Sequence, residues 1–138
     1  MLDRANEILL EHRRHPRHHG LLEGATVDVT DRTPVCGDEV RLMVRLEGDR
    51  AAEIHFVAQA CSVATASASL LAEHLSGRTI PEIRERIAAV RALVAGQDRP
   101  ELGDVTALAI VRQYPTRRAC ALLPWEMLDR ALRGRDGV

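Results

Sequence analysis

Ala25-Thr26-Val27-Asp28-Val29-Thr30, Val40-Arg41-Leu42-Met43-Val44-Arg45-Leu46 and Ile54-His55-Phe56-Val57-Ala58 are the stretches that decide the fold. In each, apolar residues recur at every second position: Val27 and Val29; Val40, Leu42, Val44 and Leu46; Ile54, Phe56 and Ala58. Side chains alternate between the two faces of a strand, so this spacing predicts three half-buried strands with one apolar face each. Glu47-Gly48-Asp49-Arg50 between the second and third reads as a tight hairpin connection. The result is an antiparallel meander. So small a sheet needs a cover to be stable.

Helical spacing on either side supplies that cover. Residues 3–14 place Ala5, Ile8, Leu9 and His12 on one stripe, and His15-Pro16 ends the helix, because a residue before proline disfavours helical backbone. Gly20 and Gly24 bracket the loop that follows. Residues 61–76 carry Val63, Ala66, Leu70, Leu71 and Leu75, and Gly77 stops them. The many Ala and Ser residues of this helix allow a neighbouring backbone to come close. Thr79-Ile80-Pro81-Glu82 is a capping box that opens a helix bearing Ile83, Ile87, Val90 and Val94. Gly96 to Gly103 reads as a polar connection, with Asp104 capping a short helix that reaches about Gln113. After Tyr114-Pro115 a last helix carries Leu122, Trp125, Leu128 and Leu132 and ends at Gly134. The expected class is α+β: a small three-stranded antiparallel sheet with helices packed on one side, in a single domain spanning 1–138.

Composition narrows the possible functions. With 138 residues, 46% hydrophobic and 28% charged, the chain suits one globular domain and excludes wholesale disorder. All cations are Arg, 19 against 20 acidic residues, and a net charge of −1 offers no electrostatic footprint for nucleic acid. Phe56, Tyr114 and Trp125 are too few aromatics for a base-stacking platform. The stretch from Phe56 to Ala72 is rich in Ser, Thr, Gln and Ala, unlike a membrane span, and the first residues lack the apolar run of a secretory signal. Cysteines stand at 36, 61 and 120, too few and too odd in number for a secreted disulfide scaffold. A cytoplasmic chain with reduced thiols is expected.

Those cysteines fall at junctions. Cys36-Gly37-Asp38 lies in the turn between the first two strands, Cys61 where the third strand gives way to a helix, and Cys120 where the last helix is expected to open. Helix N-termini favour thiolates through their exposed N–H groups and dipole, and Arg117 and Arg118 add positive charge beside Cys120. Thiolates gathered in one place repel, so a cation is a natural occupant. Zn²⁺ takes sulfur and carboxylate ligands tetrahedrally, and Asp38 offers the fourth. Gly37 lets the turn aim both of its neighbours at one point. The alternative is an ordinary set of core thiols, since single cysteines so widely spaced lack the specificity of a paired C-x-x-C.

Four segments break that tie. Pro34-Val35-Cys36-Gly37-Asp38, Ala60-Cys61-Ser62 followed by Ala66-Ser67-Ala68-Ser69, and Arg117-Arg118-Ala119-Cys120-Ala121-Leu122-Leu123 resemble the three cysteine blocks of the IscU/NifU N-terminal family. His15-Pro16-Arg17-His18-His19-Gly20 is similar to the Asn-Pro-Arg-x-x-Gly segment before that family's first strand. The resemblance runs from about Ile8 to Leu132. It implies a protein of iron–sulfur cluster biogenesis with Cys36, Asp38, Cys61 and Cys120 as metal ligands.

Within the family, IscU-type scaffolds carry His immediately before the third cysteine and a Leu-Pro-Pro-Val-Lys chaperone motif. Here those places hold Ala119 and Tyr114-Pro115-Thr116, and residues 79–113 resemble the insertion of the SufU-type branch. That branch implies a zinc-dependent sulfurtransferase, its partners a SufS-type cysteine desulfurase and a downstream SUF scaffold. By the same resemblance, docking lets a desulfurase histidine replace Cys36 on the metal, and the freed Cys36 thiolate accepts persulfide sulfur. Arg117 matches an arginine near the third cysteine of that branch, with a role in steering the persulfide or contacting the partner, against the alternative of a solvated helix-end charge. A scaffold holding a transient [2Fe–2S] cluster on the same ligands, and a zinc domain with no transfer role, are the competing readings.

Three departures carry expectations of their own. Ala58-Gln59-Ala60 stands where the family has Gly-x-Gly, a strained choice if that turn needs positive φ. Pro124 requires the last helix to start near Cys120 or to kink. Val35 replaces a commoner small or polar residue. The histidines at 12, 15, 18 and 19 read as surface polar residues of a loop rather than a second metal site, and Leu122 and Trp125 as core.

Overall fold

Alternation and capping act out as read in the computed structural model, which describes residues 2–33 and 37–133. The strands are β1 (Val27–Arg32), β2 (Glu39–Glu47) and β3 (Arg50–Gln59), antiparallel in the order β1-β2-β3. Four α-helices, α1 (Leu2–Arg14), α2 (Ser62–Leu75), α3 (Ile80–Ala95) and α4 (Pro115–Ala131), accompany them, with a 3₁₀ segment at Pro100–Gln113. The class is α+β, as expected from the sequence.

Register follows from the apolar pattern. Leu42 pairs with Phe56 and with Val29, and Val44 with Ile54 and with Val27, so these side chains share one face. Sliding any strand by one residue would turn that face to solvent. The β2–β3 turn is the two residues Gly48-Asp49, and Gly48 takes the positive φ (63°) such a turn demands. A register shift between Arg45 and Leu46 leaves Leu46 only partly buried. Met43 faces away from this apolar set yet is buried too, at 2% exposure. The outer edge of β3 is also occupied: Phe56 N–H donates to His18 O (3.1 Å) and Gly20 N–H to Phe56 O (2.9 Å). His18 makes that approach with φ at 59°, the one non-glycine positive φ among the described residues.

The helices lock together through small side chains. α2 packs against β3, and α4 against β1 and β2. Along the α2–α4 seam the Trp125 indole N–H donates to Ser67 Oγ (2.9 Å), and Ser67 Oγ donates to Ala121 O (2.5 Å). Trp125 is fully buried there. Both of its buried neighbours' polar groups are thereby satisfied, which burial requires. α3 opens with the expected capping box, Thr79 Oγ1 accepting from Glu82 N–H and Glu82 Oε1 from Thr79 N–H. Arg91 ties it to α4 through Glu126 and, at 2.9 Å, Asp129.

Two expectations change. α4 begins at Pro115, five residues before Cys120, and runs through Pro124. Proline at the first helical position lacks only an N–H the helix has no use for there, which lets the helix start early. Leu123, Pro124 and Trp125 are all buried, so tertiary packing holds the helix through an interior proline. The second concerns residues 100–113: helical turns start at Pro100 rather than at Asp104, as 3₁₀ with a break at Gly103 (φ 57°, ψ −128°). The helix end expected at Gly134 lies outside the described residues. At Ala58-Gln59-Ala60 no positive φ occurs, so the missing glycines cost no strain.

Candidate metal centre

Asp38 stands at the end of the β1–β2 turn, two residues beyond Cys36, and Cys36 itself lies outside the described residues. The turn is organised by Thr33, a buried residue that the sequence did not single out. Thr33 N–H donates to Asp38 O (2.9 Å), Gly37 N–H to Thr33 O (3.1 Å) and Asp38 N–H to Thr33 Oγ1 (3.3 Å). Gly37 adopts φ 69°, and a Cβ there would meet nothing within 4 Å, so backbone conformation rather than space selects glycine.

The carboxylate this turn presents is 4% exposed. Its Oδ1 accepts from the Cys61 backbone N–H at 2.8 Å, tying the turn to the start of α2. Its Oδ2 is buried with no hydrogen-bond partner among the described residues. A buried oxygen left so costs roughly 1–3 kcal/mol, a cost that a cation at that atom would offset.

The two sulfurs come from the helices. Cys61 is the N-cap of α2, with extended backbone (φ −64°, ψ 166°) and Sγ accepting from Ala64 N–H at 3.4 Å. The sulfur thus does what an N-cap oxygen does. Cys120 differs from expectation. It sits in the second turn of α4 rather than at its first residue, fully buried, with Sγ 3.8 Å from Thr116 O. The α4 N-terminus lies a turn away from it. Both cysteines carry free thiols.

One ligand atom each from Asp38, Cys61 and Cys120 all lie within 4.8 Å of one another. Tetrahedral zinc with sulfur and oxygen ligands needs neighbouring donors about 3.5–3.8 Å apart, so the spacing suits that ion with small adjustment. The donor chemistry and the unpaired Oδ2 fit a metal. Burial alone would raise the Asp38 carboxyl. The Cys120 side chain, the Cys61 backbone and side chain, and the nearby charge of Arg117 outweigh it and hold the carboxyl below its ordinary value. An ionised carboxylate is the form a cation requires. Arg117 is exposed on the first turns of α4, so its charge reaches the site from the solvent side.

Of the predicted histidine cluster, His15, His18 and His19 are exposed, as read. His12 is not. It sits at 2% exposure on α1, with Nδ1 2.7 Å from Ser69 Oγ, which also accepts from Arg17 N–H at 2.7 Å. Burial and the charge of Arg17 lower its pKa. The signal was its place on the apolar stripe with Ala5 and Ile8, which the histidine-rich loop after it obscured. Trp125 is core and Leu122 partly buried against it.

Known proteins align with this architecture. The profile described as "NifU-like N terminal domain" matches residues 4–121. Over 134 residues the chain is 31% identical to the "Zinc-dependent sulfurtransferase SufU" of Bacillus subtilis (strain 168), covering 95% of this chain and 90% of that one. Over 129 residues it is 32% identical to the "Iron-sulfur cluster assembly scaffold protein IscU" of Streptococcus pyogenes serotype M1, covering 91% and 80%. A crystal structure from Fervidobacterium islandicum AW-1, described as a candidate iron–sulfur cluster assembly scaffold for the SUF system, superposes with TM-score 0.87. Its sequence is 28% identical, and the match covers 92% of this chain and 95% of that one.

Proposed function

We propose that this chain, which belongs to the NifU-like N-terminal domain family, is a zinc-dependent sulfurtransferase of iron–sulfur cluster assembly, acting in the cytoplasm. It takes sulfur on Cys36 from the persulfide of a SufS-type cysteine desulfurase and passes it to a downstream SUF scaffold. The observation that carries this reading is the buried Asp38 Oδ2, unpartnered among the described residues, beside the thiols of Cys61 and Cys120. Likeness to the Bacillus SufU over 95% of the chain supports it.

Cys36, Asp38, Cys61 and Cys120 would hold the zinc. Bound zinc supplies positive charge that keeps thiols ionised at neutral pH. Asp38 helps by staying an anion when buried, and Cys61 by presenting its sulfur at a helix start. In the transfer, the Cys36 thiolate attacks the outer sulfur of the donor persulfide. The S–S bond of the donor breaks, its electron pair leaves with the donor's own cysteine as a thiolate, and Cys36 carries the new persulfide. One sulfur moves and no external oxidant or reductant is consumed. Arg117, exposed beside the site, attracts the anionic persulfide as it arrives. Residues 79–113, holding α3 and the 3₁₀ segment, are the insertion that sets this branch apart from IscU-type scaffolds.

Cys36→Ala tests the reading. Wild-type protein incubated with desulfurase and cysteine gains the mass of one sulfur on Cys36 and speeds desulfurase turnover, whereas the variant does neither. Retained transfer in the variant overturns the role of Cys36. The 32% identity to an IscU scaffold favours a second reading, a transient [2Fe–2S] cluster on the same residues. Purified protein would then be brown and oxygen-labile, in place of colourless with one zinc per chain. One zinc with no effect on the desulfurase would mean a metal that serves the fold alone.

A further inference from the structure

A groove of about 630 Å³ opens beside the metal centre, between α1, the start of α2, the end of the 3₁₀ segment and the start of α4. Its apolar wall includes Leu9, Leu10, Val63, Ile110 and Tyr114. Leu10 and Tyr114 are large apolar side chains held 39% and 54% exposed, where nothing in the fold rewards them. The charged residues of the wall are Arg13 and Arg117, and among the described residues no carboxylate lines it. Arg13 has no ion pair among the described residues.

Position adds direction. One end of the groove is Ser62, the residue after Cys61, and the Arg117 that lines it lies three residues before Cys120. A body seated there is therefore held next to the thiols without covering them. Such a place suits something tethered to the reacting atom rather than the reacting group itself. The volume lies within the roughly 300–1,000 Å³ range of preformed recognition pockets. A second copy meeting this face across a two-fold axis would bring Arg13 and Arg117 against their own kind, which disfavours that occupant.

Resting on the sulfur transfer proposed above, we infer that the groove seats a segment of the sulfur-donor protein in which an apolar side chain is flanked by carboxylates. The apolar side chain fills the space between Leu10 and Tyr114, and the carboxylates meet Arg13 and Arg117. Charge complementarity speeds and orients the encounter, and burial of the anchor holds it.

The experiment uses the full chain with zinc bound and a SufS-type cysteine desulfurase as the probe. Leu10→Asp and Arg13→Glu are compared with Leu21→Asp, a control on a residue 71% exposed in the loop after α1. Titration calorimetry reads affinity, and mass spectrometry reads sulfur on the protein. Each groove variant is expected to weaken desulfurase binding at least tenfold and slow sulfur acceptance in parallel. The control stays at the wild-type level. Zinc content and loading from inorganic polysulfide, which needs no docking, stay unchanged in both groove variants, which excludes misfolding. If wild-type protein binds and accepts sulfur while both groove variants match it, the groove assignment is overturned and the function stands. If wild-type protein neither binds nor accepts sulfur from the desulfurase, the function itself fails and takes the groove's occupant with it.

Discussion

The donor side chains of the candidate metal centre come from two differently built regions. Cys61 and Cys120 stand on α2 and α4, helices joined by the Trp125–Ser67–Ala121 hydrogen bonds and a fully buried indole. Asp38 is held by a turn with three hydrogen bonds involving Thr33 and by one that the Cys61 N–H donates to Asp38 Oδ1. The helix pair loses its shape only if the core does. The hydrogen bonds that hold Asp38 are few by comparison, each about 1 kcal/mol net. On the function proposed above, fixed anchors on one side and a more lightly held arm on the other suit a carrier that must both guard and surrender a thiol.

The sharpest way to break that contrast is at the seam. Trp125→Ala should cost about 3–5 kcal/mol in denaturant unfolding, from lost burial and the cavity left behind. Zinc should be lost with it, because both sulfurs then lose their spacing. A smaller effect belongs to the outer side of α2. Burial, with Arg78 and Arg86 nearby, lowers the His74 pKa from 6.5 to about 4. The fold therefore prefers neutral His74, and the stability it confers is fully present above pH 6.5 and lost as pH falls towards 4. Partial solvent screening limits the loss to about 1–2 kcal/mol. His74→Gln should flatten the slope of stability against pH in that window, and an unchanged slope would show that other groups cause it. The smallest effect falls on the turn. Gly37→Ala forces a Cβ into left-handed backbone at about 1 kcal/mol, so the melting temperature should move by only a few degrees. Zinc release to a chelator should nonetheless quicken measurably. If Gly37→Ala left zinc release unchanged while Trp125→Ala spared the metal, the division into anchor and arm would be wrong.

How much of this was legible depended on distance along the chain. Strand alternation at Val40–Leu46, the Gly48 turn and the Thr79–Glu82 cap are local, and each formed as read. Cys61 at the start of α2 was equally local. Cys120 was misplaced because Pro124 argues for a late helix start. The burial of Leu123, Pro124 and Trp125 that overrides this depends on residues far away in sequence. Likewise, four spaced donors suggested a metal, but that Asp38 Oδ2 is buried and unpaired among the described residues, with Oδ1 held by the N–H of Cys61, depends on contacts 23 residues apart in the chain. His12 misled for the opposite reason: a run of histidines looked like one surface feature, while its first member belonged to the apolar stripe of α1.

His18 and Gly20 pair with Phe56 on the rim of β3. A three-stranded sheet with a bare rim invites strands of other molecules to add on, the first step towards fibrils. The short clasp closes that side with three residues, at the expense of left-handed backbone at His18. Through it, the histidine-rich loop takes up backbone groups of Phe56 that a foreign strand would otherwise need.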